Sequence, residues 1–313
     1  MKTGALIIAD GHGEAQGDFR PLLPAGDSTV IRRIIITFKQ AGAEPLVVVT
    51  GRRGDELEKH IAGLGAICLR NEKYENAQMF DGICTGLAYI RNLCGRVFVL
   101  PAKFPMFLQA TVRRMMETDD PVVCPVQGGR RGHPVLLSAS VMDCILDYRG
   151  EGGLRGALAQ KELEGMIREL EVEDEGIILA VDKREDCAHP LVEEGRISVY
   201  PRVELSLGRN EEFFSPFMAQ FLSLIDYTGS IQTACRQLHI SYTKGWNLIK
   251  AAEGQMGFPV LETQSGGAKG GGSRLTPRSR DFVGRYLAME QALNRDGERL
   301  FAEYFPEYAG IDQ

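Results

Sequence analysis

The sequence has no paired cysteine motif, no long apolar run and no overall excess of positive charge, and each absence removes a class of protein. Its seven cysteines, at positions 68, 84, 94, 124, 144, 187 and 235, are odd in number, scattered, and form no C-x-x-C pair. That spacing predicts neither a disulfide framework nor a cysteine zinc site, so the thiols are read as reduced and mostly buried. No stretch approaches the roughly 18 apolar residues of a membrane span, and the opening MKTGALIIADG has too short an apolar core for a secretory signal. A cytoplasmic protein with no membrane partner is expected. The net charge of -6 argues against a chain that coats nucleic acid, but a whole-chain sum hides local patches. From Arg236 to Arg285 eight cations stand against three acids, a local excess of five positive charges.

What is present is ordinary globular material: 313 residues, 44% hydrophobic and 25% charged, enough for two cores at about 150 residues each. Short apolar runs at 5–9 (ALIIA), 46–50 (LVVVT), 66–69 (AICL), 97–100 (VFVL) and 122–126 (VVCPV) read as buried strands. Further strands are expected near 134–137, 168–173 and 177–181. Amphipathic stretches at 28–41, with Ser28 as N-cap and Gly42 past the end, and at 54–63 read as the helices between them. Strand, helix, strand alternation predicts an α/β, Rossmann-like domain with a mostly parallel sheet and right-handed crossovers.

Around 190–215 the sequence HPLVEEGRISVYPRVELSLGRNEEFFSP loses helical period and carries prolines. This predicts a first domain over 1–195, a linker over 196–214 and a second, mainly α domain over 215–313. In the second, a helix is expected at 216–227, then one at 231–238 capped by Gly229-Ser230, a four-residue break (HISY), and another at about 242–253. Two helices across such a break have helix-turn-helix geometry. Ala234, Leu238, Ile240, Trp246 and Ile249 are expected to pack the pair together, with Trp246 in the core rather than exposed as a stacking platform. Ser241, Tyr242, Thr243, Lys244, Asn247 and Lys250 are then left facing outward, where base edges and phosphates are contacted. The glycine-rich QSGGAKGGGSR lies between PVLET and RLTP. It reads as the tip of a two-stranded hairpin, a wing with Lys269 and Arg274 as its cations, although a disordered linker has the same composition. A long helix over 277–305 closes the pattern.

Residues 203–305 resemble the DNA-binding domain of the ModE molybdate-responsive regulators, a winged helix related to the LysR-type one. The resemblance rests on DYTGSIQTACRQLHISYTKGWNLI, on PVLETQSGGAKGGGSRLTP and on the long helix that follows. It implies double-stranded DNA as a partner and a homodimer paired through that helix. In that family small molybdate-binding modules come next; none is read before Gln313, so the sensor is expected elsewhere.

In the first half, LIIADGHGEAQGDFRPLLPAGDSTVIRRII places a glycine-containing loop between the first strand and the first helix. Backbone N–H groups there could cradle phosphates, and a purely structural turn fits as well. Residues 4–190 resemble the MobA/MocA-like nucleotidyltransferases, through FRPLLPAGDSTVIRRII, PLVVVTGRRGDEL, VFVLPAKFP, RRGHPVLLS, GEGGLRGAL and GIILAVDKRED. The resemblance implies attack of a molybdopterin phosphate on the α-phosphate of CTP or GTP with release of pyrophosphate, Mg2+ neutralising the charge that develops.

Carried over residue by residue, the family loop L-A-A-G-x-S-x-R-M-G-x-x-K falls on Ile8 to Arg20, so that Ala9, Asp10, Gly11, His12 and Gly13 are ligand-binding candidates. Ala15 stands at the loop arginine, Arg20 at the lysine, and Lys103 at the metal-holding aspartate after the fourth strand. Asp182, in AVDKRED, is the acid that remains and the candidate metal ligand. His133, in GHPV, lines the pocket by family position or is simply bonded to backbone. Asp10 and Glu14 add negative charge beside the expected triphosphate, and with His12 they could hold a hard cation.

Three readings result. The N-terminal domain is the ligand sensor of a transcriptional regulator linked to molybdenum metabolism; or it is a working cytidylyl- or guanylyltransferase, needing Mg2+, in a protein that also binds DNA; or it is structural or dimerising. The altered positions Ala15 and Lys103 favour an inactive, sensing domain. Its ligand is expected to be a nucleotide, a molybdopterin-type compound or an oxyanion.

Overall fold

The computed structural model describes residues 2–11, 19–75, 77–197, 199–264 and 272–308. The chain divides into two compact units, Met1–Ser198 and Val199–Ala309.

The first unit is built on a mixed sheet. Its strands are β1 (Thr3–Ala9), β4 (Leu46–Thr50), β5 (Ile67–Arg70), β6 (Arg96–Pro101), β7 (Val122–Gln127), β9 (Val135–Ser138) and β10 (Ile167–Glu171), in the order β10-β7-β9-β6-β1-β4-β5. A two-residue hairpin, β2 (Pro24–Ala25) with β3 (Ser28–Thr29), stands apart, and β8 (Arg130–Arg131) pairs with β7. β1 runs parallel to β4 and β6, and β7 to β10, whereas β9 is antiparallel to both its neighbours. Every residue of β1 and β4 is buried, as expected of central strands covered on both faces.

Helices α1 (Val30–Gln40), α2 (Gly54–His60), α3 (Met79–Ile90), α4 (Gln109–Met116), α5 (Ala139–Asp147), α6 (Gly153–Leu158) and α7 (Pro190–Glu193) connect the strands. Val30, Ile31, Ile34, Ile35 and Phe38 of α1 are completely buried, each such side chain contributing roughly 1.5–3 kcal/mol of transfer free energy. Phe38 packs on Phe98 and Phe107, at 5.5 and 5.0 Å between ring centroids. Because β1, β4 and β6 are parallel neighbours, Asp10, Gly51 and Ala102 leave the same edge of the sheet, and Ala102 N donates to Ile8 O at 2.8 Å. The carboxyl edge of such a sheet is where α/β folds place their ligands.

Three expectations differ. Ser28 does not cap α1, because Ser28 and Thr29 pair with the β2 strand and Thr29 takes the cap position. Residues 177–181 form no strand. Asp174 accepts from Leu108 N, Thr111 Oγ1 and Gly176 N, closing a 3-10 turn over Glu175–Ile177, and the backbone beyond bonds to loops: His133 N to Ile177 O and Val181 N to Lys103 O. The cysteines are all free thiols, three buried and four half-buried, so fewer are fully buried than expected. Burial pushes the Cys94 and Cys124 thiols up to about 11 and raises those of Cys68, Cys84 and Cys235 as well.

The second unit comprises a hairpin, β11 (Leu207–Gly208) with β12 (Glu212–Phe214), helices α8 (Pro216–Thr228), α9 (Ile231–Gln237) and α10 (Tyr242–Met256), a hairpin, β13 (Leu261–Gln264) with β14 (Gly272–Leu275), and the 28-residue α11 (Pro277–Tyr304). Gly229, at φ 69°, ends α8 in the left-handed region that glycine tolerates. Ser230, Ser241 and Thr276 cap α9, α10 and α11 by accepting from Thr233 N, Lys244 N and Ser279 N. The stretch 196–214, expected as a linker, holds the division at 198/199, and the part after it is packed. Phe214 is buried against Phe282 and Tyr286, and Tyr286 Oη donates to Leu205 O at 2.6 Å.

Candidate functional site

At the carboxyl edge of the first sheet, three loops bring Arg20, Lys103 and Asp182 together. Arg20 opens the 3-10 turn Arg20–Leu22, and Lys103 follows β6. Asp182 lies in a turn closed by Asp186, whose Oδ2 accepts from the backbone N–H of both Asp182 and Lys183. Arg20 Nε stands 3.0 Å from Asp182 Oδ1, and Lys103 Nζ lies 3.3 Å from Oδ2 and 3.4 Å from Oδ1. The carboxylate thus bridges two cations. All three side chains reach solvent, at 23%, 30% and 41% for Arg20, Lys103 and Asp182, so the cluster is accessible and its Coulomb energy is screened.

Beside it, the Lys103 ammonium lies 5.4 Å from the Phe104 ring centre, and that ring stacks on His133 at 4.4 Å with a 33° tilt. His133 precedes a cis Pro134, and its backbone N–H donates to Ile177 O at 2.8 Å. Burial, and secondarily the Lys103 charge, holds the imidazole down to about 4, so it is neutral at physiological pH. His133 thus borders the cluster and is bonded through its backbone. Phe104 and Asp186 have no counterpart in the sequence reading, although an aspartate four residues after Asp182 is itself a turn signal.

Of the glycine loop, Ala9, Asp10 and Gly11 are among the described residues. Ala9 ends β1, and Gly11 takes a positive φ of 79°. Asp10 is only 3% exposed, and a Cβ added to Gly82 of α3 would come within 2.9 Å of its Oδ2. Its carboxylate is therefore packed against the first turn of α3, where the helix dipole favours negative charge. His12, Gly13, Glu14 and Ala15 lie outside the described residues.

The divalent metal that the family chemistry implies does not fit these donors. The residue expected at its aspartate position, Lys103, is an ammonium, and Asp182 is already paired with Lys103 and Arg20. Among the described residues no three His, Cys, Asp or Glu side chains converge on Asp182. The cluster instead offers two cations and one carboxylate, a net positive charge suited to an anion.

In the second unit, Ser241, Tyr242, Thr243, Lys244, Asn247 and Lys250 are all exposed on the first three turns of α10. Lys250 is also engaged locally, at 2.7 Å from Glu253 and 5.0 Å from the Trp246 ring centre. Trp246 corrects the sequence reading, being 39% exposed instead of buried. The buried face of α10 is Gly245, Ile249 and Ala252. Gly245 sets that phase, since a Cβ there would lie 2.4 Å from Cys235 Sγ and 2.9 Å from Phe221 Cζ, and only glycine permits so close an approach to α8 and α9. Arg274 is exposed on β14; Lys269 lies outside the described residues.

The base of the β13–β14 hairpin is held by a pair the sequence did not reveal. Arg280 makes a two-pronged ion pair with Asp226, at 2.8 and 2.7 Å, and Asp226 Oδ1 accepts from Leu275 N at 3.1 Å. Burial would raise the Asp226 carboxyl, but Arg280 and the Leu275 N–H outweigh it and hold the group below its ordinary value.

The sheet order and the clustered loops at its carboxyl edge define the first unit as a nucleotidyltransferase-type α/β domain. A model of the MobA-like NTP transferase domain matches residues 5–194, and the chain belongs to that family. Over the same part, it is 24% identical across 184 residues to the molybdenum cofactor cytidylyltransferase of Escherichia coli, covering 58% of this chain and 91% of that one. The fold is also that of Rv0371c from Mycobacterium tuberculosis, with a TM-score of 0.52 and 21% identity over 61% of this chain and 97% of that one. The C-terminal region is similar to the transcriptional regulator ModE of Haemophilus influenzae, 32% identical over 89 residues, or 28% of this chain and 33% of that one. The chain spans a quarter to a third of the length of the curated molybdenum proteins that this region matches. It thus joins a MobA-like NTP transferase domain to a ModE-like region.

Proposed function

We propose that the chain is a homodimeric, DNA-binding transcriptional regulator linked to molybdenum or molybdopterin metabolism, whose MobA-like domain binds a phosphorylated ligand without transferring a nucleotide. The observation that carries the sensing role is the Lys103 ammonium, 3.3 Å from Asp182 at the position where a transferase needs a metal-holding acid. An ammonium supplies positive charge for binding but coordinates no metal and activates no leaving group. Binding without transition-state stabilisation is recognition without catalysis.

For the second unit, the exposed face of α10 from Ser241 to Lys250 and a hairpin carrying Arg274 support a winged helix-turn-helix that reads duplex DNA, with α10 in the major groove. Surviving cytidylyl- or guanylyltransfer is the competing reading, and it rests on the retained Asp182.

Two measurements test the proposal. Lys244→Ala and Lys269→Ala should each weaken binding to selected duplex DNA and reduce the salt slope by about one; unchanged affinity in both variants removes the DNA reading. Incubation with CTP or GTP, magnesium and molybdopterin should release no pyrophosphate. Release at the rate of an active relative assayed alongside would overturn the sensing role.

A further inference from the structure

The mismatch between the family's metal and this site leads further, on the reading that the first domain is a ligand sensor. We propose that Asp182 is a built-in occupant of the site's anion seat, so that the domain takes a multiply charged phosphoryl group without metal and only by displacing its own carboxylate. Asp182 receives both available cations, Arg20 at 3.0 Å and Lys103 at 3.3 Å. Those are the groups a phosphate would use, and they cannot serve both anions with full geometry.

The backbone around Asp182 is built for such an exchange. Val181 is completely buried, and its N–H donates to Lys103 O at 2.7 Å. The N–H groups of Asp182 and Lys183 are both taken by Asp186. The main chain is thus pinned on both sides of Asp182, while the side chain is 41% exposed. A rotation about the side-chain bonds of Asp182 releases both cations without unfolding the turn. That rotation moves one short side chain, which carries little conformational entropy.

Charge sets the selectivity. A monoanion such as a carboxylate gains from Arg20 and Lys103 no more than Asp182 already does, whereas a di- or triphosphate brings at least two charges and several acceptor oxygens to the same pair. The ligand class is therefore a nucleoside di- or triphosphate or a similarly charged phosphate ester, bound as the metal-free species. Magnesium would compete with Arg20 and Lys103 for the ligand oxygens instead of assisting them.

The test is calorimetric titration of the full chain with inorganic pyrophosphate in EDTA. Wild type binds. Asp182→Asn, which keeps the shape and removes the competing charge, binds about fivefold tighter, the factor that follows from removing an exposed pair worth about 1 kcal/mol. Lys103→Gln binds at least as much weaker, and magnesium in place of EDTA tightens none of the three. If wild type binds but Asp182→Asn binds equally or more weakly, or if binding requires magnesium, the built-in occupant is excluded while the sensor survives. If neither protein binds pyrophosphate or CTP, both ideas fall. Asp182→Ser replaces Asp182→Asn should the latter not melt cooperatively.

Discussion

The imidazole of His133 lies on the ring of Phe104, centroids 4.4 Å apart, with Lys103 bordering the same ring. A stacked, partly buried histidine beside an ammonium resists protonation, which couples the stability of the first domain to pH.

The sign follows from the lowered value. His133 titrates near 4 when folded, against an ordinary 6.5. Between those values the unfolded chain takes a proton that the folded chain refuses, so stability is lost as pH falls, by up to about 1.4 kcal/mol per pH unit. Denaturant unfolding of wild type and His133→Gln at pH 7 and pH 5 should therefore show a smaller acid loss in the variant. Equal losses would mean that the ring is freely protonated in the folded protein.

Lys103→Asp reverses the charge at the heart of the cluster. It sets a second carboxylate near Asp182 and leaves Arg20 as one cation for two carboxylates, and a carboxylate pair that keeps a net negative charge recruits a further cation. The variant should bind Mn2+ at roughly millimolar concentration, read by the change in water proton relaxation, where wild type shows none. Nucleotidyl transfer should not return with it, since Ala15 still stands at the loop arginine position. Turnover by this single variant would mean that Lys103 alone disables the domain.

Gly245 and Cys235 are coupled by contact. Gly245→Ala places a methyl 2.4 Å from Cys235 Sγ, an overlap that should cost about 1–3 kcal/mol. The double variant Gly245→Ala with Cys235→Ala removes the obstructing sulfur and should recover part of the loss, leaving a favourable interaction in a double-mutant cycle. Additive losses would place the strain on Phe221 instead.

These residues also mark what a sequence makes legible. LVVVT at 46–50 matches its strand residue for residue, because a strand buried on both faces reads as an unbroken apolar run. Ser28 misled because a local hairpin competes for the same residues as a helix cap. Trp246 misled because its assumed helical phase put it beside Ile249 in the core, while the phase is set by the closest contact, and that belongs to a glycine. Arg20, Lys103 and Asp182, named from the resemblance and far apart in the sequence, meet in space, which no local or periodic signal would have shown. The Asp226–Arg280 pair, separated by 54 positions, had no periodic or local signal and needed the tertiary contact between α8, β14 and α11 to appear.

The outward turn of Trp246 has a practical side. It is the chain's one tryptophan, it stands on the face of α10 assigned to DNA, and the Lys250 ammonium lies 5.0 Å from its ring centre. An indole so placed is an intrinsic fluorophore. A phosphate that draws Lys250 away, or a base that covers the ring, would alter its emission, so the unlabelled protein carries its own optical gauge for testing the proposed duplex binding, free of interference from any second indole.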